Sequence, residues 1–154
     1  MKLLHKMSFV SVVAATLMVS GPIAFAKKGG EKLDIELREW NITTSAETIA
    51  AGEVEIKVKN KGKDTHEVAF FKLNTDLATG RLPVDKDGAI DEAKMNFGTI
   101  VHEIENLEPG KSAKNTINLK PGRYAIICNV LEQEANGEME AHYSMGMHTV
   151  LNVE

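Results

Sequence analysis

Short runs of alternating apolar and polar residues constrain the fold of this chain more than any other feature. Residues 33–38 and 53–59 alternate in this way, with Leu, Ile or Val at every second position and mostly charged side chains between them. A period of two places one face of a β-strand in a core and the other in water. The pattern therefore predicts strands that each cover one side of a hydrophobic core.

Similar patterns and turn signals continue along the chain. Further strands are predicted at 43–49, 67–73, 99–104, 113–119, 123–129 and 149–153. The turn sequences Asn60-Lys61-Gly62, Pro109-Gly110 and Pro121-Gly122 stand between strands. Many short strands separated by turns predict an all-β fold, a Greek-key antiparallel β-sandwich.

Two polar stretches interrupt the strand pattern. The 74–98 segment is long and only partly patterned, which leaves room for a short helix near residues 91–95. Residues 131–141 carry four glutamates around Asn136-Gly137. We expect this second stretch to form an acidic surface loop or a short helical turn.

The N-terminal residues 1–26 have the organisation of a secretory signal peptide. Two lysines precede an uncharged apolar run at 7–19, and Ala-Phe-Ala at 24–26 is a small-x-small cleavage site. The apolar run is shorter than the roughly 20 residues of a membrane-spanning helix. We expect cleavage after residue 26, export to the periplasm or another extracytoplasmic compartment, no stable membrane insertion, and one domain over 27–154.

The charge of that domain restricts the class of partner. The chain has 22 Asp and Glu and 18 Lys and Arg; two lysines lie in the predicted signal, which leaves 16 basic against 22 acidic side chains, a net charge of −6. No basic stripe is present, so we expect no nucleic-acid partner. The acidic surface is compatible with a soluble monomer and with a basic docking partner.

Cys128 is the sole cysteine of the sequence. Exported proteins usually pair their cysteines in disulfides. A single thiol has no partner within its own chain, so it is buried and inert, linked to another chain, or bound to a metal.

The surroundings of this thiol in the sequence favour the metal. His142 and Met147 follow Cys128, and His66 lies upstream at the head of an apolar strand. A redox copper must be stable as Cu(I), which prefers sulfur, and as Cu(II), which prefers nitrogen. Two imidazoles and a thiolate in a plane, with a weak axial thioether, suit both states.

The motifs occur in a fixed order: Asn60 to His66 (N-x-G-x-x-x-H), Leu107 to Gly110 (L-x-P-G), Pro121 to Tyr124 (P-G-x-Y), Cys128-Asn129, His142 to Met147 (H-Y-x-x-G-M) and Leu151 to Val153 (L-x-V). Together they resemble the cupredoxins, a group that includes plastocyanins, auracyanins, rusticyanins and sulfocyanins. The resemblance covers most of the chain after residue 26.

The resemblance implies a blue-copper protein that carries single electrons between redox partner proteins. Its cofactor would be one type 1 copper ion, held by the imidazoles of His66 and His142, the Cys128 thiolate and the axial Met147 thioether. The outer ring edge of His142, if exposed, would be the electron port.

The same resemblance gives roles to residues beside the ligands. Asn60 and Gly62 would shape the turn before His66. Asn129 would tune the sulfur through a backbone or side-chain donor.

One departure from the family pattern concerns the spacing of the ligands. Thirteen residues, 129–141, separate Cys128 from His142, whereas the family places only a few there. Lengthening the loop costs about 1 kcal/mol in closure entropy, against metal-binding energies on the order of 10 kcal/mol. The insertion is therefore expected to bulge outward and leave the ligands in place.

Several alternatives remain open from the sequence. Met145 is a rival for the axial position, whereas His148 fits the ligand order poorly and His102 is expected at the surface or an edge. The methionines near His142 also suit a periplasmic copper chaperone or buffer, because thioethers bind Cu(I) well. An enzyme is not expected, since the chain has no H-x-H pair for further coppers and no second cysteine for a dinuclear centre.

Overall fold

The computed structural model describes residues 30–74, 82–91 and 96–154. The predicted signal peptide at 1–26 lies outside the described residues, as do residues 92–95 of the predicted short helix; the other described residues of the 74–98 segment form no helix. Within the described ranges, no helix is long and apolar enough to span a bilayer.

Strands form nearly all of the regular structure. The strands are β1 (Glu31–Arg38), β2 (Asn41–Thr44), β3 (Thr48–Ile49), β4 (Gly52–Asn60), β5 (His66–Leu73), β6 (Gly98–Leu107), β7 (Ser112–Leu119), β8 (Gly122–Ile127), β9 (Leu131–Gln133), β10 (Met139–Ala141) and β11 (His148–Val153). The four-residue helix α1 (His142–Met145) precedes β11.

The strands form two main sheets and a ribbon. The first sheet has the order β2-β1-β4-β7, the second has the order β3-β11-β8-β5-β6, and β9 and β10 pair separately. The predicted β-sandwich is confirmed. Each main sheet also contains one parallel pair, β1 with β4 and β3 with β11. The parallel pairs arise because the chain leaves the first sheet after β2, adds β3 to the second, and returns as β4.

The predicted alternation explains how the sheets pack. The apolar residues of β1 and β4 are fully buried, including Leu33 and Val54 at 0 % exposure. They pack against the inner face of the second sheet, including Phe70 and Ile126. Burying a large aliphatic or aromatic side chain contributes about 1.5–3 kcal/mol, so these rows drive the two sheets together.

Strand β5 is buried on both faces. Val68 and Phe70 point into the sandwich core, whereas Ala69 and Phe71 belong to a second cluster on the outer face of the sheet. Leu82, Ile90 and Tyr143 also belong to that cluster. The described part of the 74–98 segment therefore covers the outer face of the second sheet.

The acidic insertion at 131–141 forms a β-hairpin, so the prediction of a loop or a helical turn was wrong. Strands β9 and β10 pair from Leu131↔Ala141 at the base to Gln133↔Met139. At the tip, Gly137 donates to the Glu134 carbonyl (2.8 Å) with a φ of 88°. Asn-Gly with glycine in the left-handed region is a typical hairpin turn.

Candidate metal centre

The sheet order brings the predicted ligands to one end of the sandwich. His66 begins β5 and Cys128 directly follows β8; β5 and β8 are antiparallel neighbours. His142 begins α1 and Met147 directly precedes β11, which is antiparallel to β8. The first residue of one strand and the last residue of its antiparallel neighbour lie at the same end of the sheet.

Backbone hydrogen bonds join the segments that carry these residues. Cys128 N–H donates to the Met147 carbonyl, and Met147 N–H donates to the His142 carbonyl, both at 3.0 Å. His142 N–H donates to the Val130 carbonyl at 3.0 Å, directly beneath the hairpin base. This hydrogen bond closes the insertion at its base and holds His142 beside Val130, two residues after Cys128.

The donor atoms of three side chains converge in the core. His66, Cys128 and His142 offer ligand atoms that all lie within 4.8 Å of one another, and each side chain is 0 % exposed. His142 Nδ1 lies 3.2 Å from His66 Nδ1 and 3.4 Å from Cys128 Sγ. Donors bonded to one ion at about 2.0–2.3 Å lie roughly 3.5 Å apart in a trigonal plane, so the spacing fits a bound metal.

Burial separates the two candidate axial methionines. Met147 is 0 % exposed and belongs to the same core cluster as Cys128. Met145, on the helix, is 49 % exposed. The burial pattern favours Met147 as the thioether near the three converging donors.

The turn before His66 is organised by a buried amide. Asn60 Nδ2 donates to the carbonyls of Asp64 (2.7 Å) and Leu107 (2.8 Å), and Asn60 Oδ1 accepts from Gly62 N–H (2.8 Å). Asn60 is 0 % exposed, so these bonds replace the water that its amide would otherwise need. Asn60 and Gly62 therefore shape this turn, as predicted.

Backbone amides contact the Cys128 sulfur. Glu67 N–H lies 3.4 Å from Sγ, and a backbone hydrogen bond from Val130 also reaches the thiol. Burial raises the pKa of the Cys128 thiol to about 11, although these two hydrogen bonds act in the opposite direction. Without a metal the thiol is therefore protonated at neutral pH, and a cation must displace its proton.

The side chain of Asn129 has a different task from the predicted one. It pairs with the Ile90 backbone in both directions, accepting from N–H (2.7 Å) and donating to the carbonyl (2.9 Å). Its own backbone N–H donates to the Glu67 carboxylate (2.9 Å). Asn129 thereby ties the ligand segment to the 82–91 segment and to the strand that begins with His66.

Glu39 is a site residue that no sequence motif identified. Its Oε1 accepts from Lys63 N–H (2.6 Å) and Asp64 N–H (3.0 Å) and lies 3.3 Å from His66 Nε2. Burial opposes ionisation of this carboxyl, but these hydrogen bonds outweigh it and lower the pKa of Glu39 to about 2. The carboxylate therefore faces the imidazole on the side opposite Nδ1.

Trp40, the next residue, covers the other imidazole. The ring centroids of Trp40 and His142 are 4.9 Å apart at an interplanar angle of 65°. His142 has no exposed edge, and its Nε2 is a buried atom without a hydrogen-bond partner in the described structure. Burial, with the neighbouring His66, lowers the pKa of His142 to about 4. The condition for His142 as the electron port, an exposed ring edge, is thus not met.

The remaining described histidines lie outside the cluster. His102 Nε2 is 2.9 Å from Asn115 Nδ2 on β7, and the His148 ring packs against Tyr143 at a tilt of 37°, with centroids 5.0 Å apart. Neither joins the metal-ligand group found in the part of the chain that the structure describes.

Comparison with known proteins agrees with this geometry. The model of the cupredoxin-like domain family matches residues 9–140. Two similar solved structures are auracyanin from Roseiflexus castenholzii (23% identity, 82% of this chain and 99% of that one, TM-score 0.53) and the "blue" copper protein auracyanin A from Chloroflexus aurantiacus (20%, 82% and 100%, 0.52). A third is rusticyanin from Thiobacillus ferrooxidans (14%, 82% and 79%, 0.52). No curated protein sequence gives a significant match.

The family match extends over most of the chain, and the solved structures share its fold. The chain therefore belongs to the cupredoxin-like family. The family and the cluster of two histidines and one cysteine, with a buried methionine nearby, fit one type 1 copper ion.

Proposed function

We propose that the protein is an extracytoplasmic electron carrier and not an enzyme. In this proposal the imidazoles of His66 and His142 and the Cys128 thiolate would hold one type 1 copper ion, and the Met147 thioether would be the fourth donor. The observation that carries the proposal is the convergence of two Nδ1 atoms and one sulfur, 3.2 and 3.4 Å apart, inside the core. When bound, copper supplies a centre that changes between Cu(I) and Cu(II) by one electron.

The scaffold supports rapid electron exchange because it leaves the donors little freedom. The backbone bonds among Cys128, His142 and Met147, together with the Asn60 turn, hold each donor from a different strand end. A site that changes little between two oxidation states has little reorganisation to complete during transfer. The burial of the donor side chains also excludes water from them.

The same burial favours a carrier over a copper chaperone or buffer. A chaperone must present its metal to an acceptor, whereas these donors are enclosed by the sandwich and by Trp40. Met139 and Met145 are 43 % and 49 % exposed, unlike the enclosed donors. Slow copper release and fast electron exchange are the expected consequences.

The partners proposed for this carrier are redox proteins with a basic docking face. Asp64 and Glu39 act electrostatically on His142, and Asp64 also acts on Glu140 of the hairpin together with Glu132 and Glu134. These carboxylates give the ligand end of the molecule a negative potential. Opposite charge on a partner would accelerate encounter. The signal-like residues 1–26 support export to the periplasm or a similar compartment.

The visible absorption spectrum of the mature chain with Cu(II) tests the function, with Cys128→Ser as the control. We expect an intense thiolate-to-copper charge-transfer band that reductant bleaches, oxidant restores and the variant lacks. Repeated redox cycles without loss of copper to a Cu(I) chelator would support a carrier. Tight Cu(I) binding without the band, or loss of copper on first reduction, would replace the carrier with copper handling.

A further inference from the structure

His142 is sealed from solvent, which leaves open how electrons reach the centre. The imidazole is 0 % exposed, and Trp40 contacts it at a centroid separation of 4.9 Å. Trp40 itself is only partly buried. Trp40 is therefore a residue that both contacts the His142 imidazole and reaches the surface.

Glycine makes room for this arrangement. A Cβ on Gly146, just before Met147, would lie 3.0 Å from the Trp40 carbonyl oxygen. Gly146 also has a φ of 123°, a conformation that other residues rarely adopt. The β1–β2 turn thus rests directly on the segment that links His142 to Met147, which fixes the indole against the imidazole.

We propose that Trp40 is the electron-exchange residue of this protein, in place of an exposed edge of a ligand histidine. This inference rests on the proposed electron-carrier function. Tunnelling rates fall steeply with distance, so a partner seated on the exposed part of the indole has a shorter route than one that contacts aliphatic surface elsewhere. In oxidation, one electron passes from Cu(I) through His142 and the indole to a one-electron acceptor; Cu(II) remains, no bond breaks and no proton moves.

The experiment distinguishes the role of the Trp40 aromatic ring in electron transfer from the role of its side chain as an apolar cover over His142. Trp40→Leu keeps an apolar cover over His142 but removes the ring, whereas Trp40→Phe keeps an aromatic ring. Phe97→Leu is the matched control because it removes an aromatic ring at the other end of the sandwich. Phe97 precedes Gly98, which pairs with Leu73 at the last position of β5, whereas His66 is the first residue of β5. The acceptors are tris(phenanthroline)cobalt(III), a cation, and hexacyanoferrate(III), an anion.

We expect Trp40→Leu to slow oxidation by both acceptors about tenfold, with an unchanged charge-transfer band and reduction potential. Trp40→Phe should retain most of the rate, and Phe97→Leu all of it. A wild-type rate in Trp40→Leu would overturn the inference, because electrons would then use another route. Absence of the band from wild-type protein would instead remove the proposed function, and with it this inference, so the two failures are distinguishable.

A readout on the metal-free protein tests the contact itself. Diethyl pyrocarbonate modifies accessible neutral imidazoles, and mass spectrometry locates the modified residue. His142 should be protected in the wild type and in Trp40→Leu but modified in Trp40→Ala. Equal protection in Trp40→Ala would mean that other groups cover His142, which would also contradict the inference.

Discussion

The carboxylate of Glu39 lies 3.3 Å from Nε2 of His66, on the opposite side of the imidazole from the nitrogen that faces Cys128 and His142. Two backbone amides hold this carboxylate in place, and the pKa of Glu39, about 2, keeps it ionised. A ligand histidine commonly donates its second N–H to such a group, which fixes the tautomer and increases the basicity of the metal-binding nitrogen.

Removing the charge of Glu39 should raise the reduction potential. Glu39→Gln keeps an acceptor oxygen near His66 but loses the anion that stabilises Cu(II) more than Cu(I). A tenfold change in relative affinity corresponds to about 59 mV for one electron, and we expect a rise of that order by redox titration. Glu55→Gln, which removes a carboxylate paired with Lys114 on the first sheet, is the control and should leave the potential unchanged. A potential equal to that of the wild type in Glu39→Gln would show that the carboxylate does not act on the metal.

Gly62 is the residue that leaves space for this contact. A Cβ at position 62 would clash with Glu39 Oε1 and lie 2.9 Å from His66 Nε2. Gly62→Ala should therefore destabilise the metal-free protein by about 1–3 kcal/mol, the usual cost of overpacking, and raise the potential in the same direction as Glu39→Gln.

A double-mutant cycle with Glu39→Ala checks the origin of that cost by urea denaturation. Truncating Glu39 removes one of the two groups in the clash, so the destabilisation by Gly62→Ala should become smaller in the Glu39→Ala background. Equal destabilisation in both backgrounds would place the cost in the backbone of the turn instead.

The sequence predicted the parts of this protein that depend on local patterns. Alternation identified β1 and β4 because each of these strands has one buried face. Spaced motifs identified His66, Cys128 and His142, which the sheet order brings together in the folded chain. The hairpin at 131–141 was missed because glutamates at alternate positions mask the strand pattern on an exposed ribbon.

Glu39 and Trp40 were missed for a different reason. They form a two-residue turn between β1 and β2, where no periodicity applies. Glu39 is 27 positions from His66, and Trp40 is still farther from His142 along the chain. Only the stacking of the two sheets brings this turn over both imidazoles, so no local motif marks it.

Burial of neutral His142 should make the metal-free protein sensitive to mild acid. Its pKa is about 4 in the fold and about 6.5 when unfolded, so the unfolded state binds more protons between these values. The contribution of neutral His142 to the free energy of unfolding is fully present above pH 6.5 and falls as the pH drops toward 4. The loss should be on the order of 1 kcal/mol between pH 7.5 and 5.5, measured by urea unfolding. His142→Asn, which has no titrating group there, should lose this slope; retention of the slope would assign it to other groups.

Copper binding should release a proton from Cys128. The pKa of this buried thiol is about 11, so the thiol is protonated at pH 8. Because pH 8 lies above the ordinary range of imidazole pKa values, histidines contribute few protons to the release. Because only the thiolate binds the metal, about one proton per Cu(II) should appear, measured by calorimetry in two buffers of different ionisation enthalpy. Cys128→Ser should release none. Zero release from the wild type would mean that the thiol is not a ligand.

The hairpin should be dispensable for the metal centre but not for partner encounter. Replacing residues 132–140 by Asn-Gly keeps the Leu131–Ala141 pair, and a two-residue turn can close it. Since His142 N–H bonds to the Val130 carbonyl below that pair, the charge-transfer band should persist unchanged. The variant loses four glutamates, so its reaction with the cationic cobalt complex should slow at low salt, and the reaction with hexacyanoferrate(III) should accelerate. Loss of the band would show that the hairpin supports the ligands. Unchanged rates with both reagents would place the docking charge elsewhere on the surface.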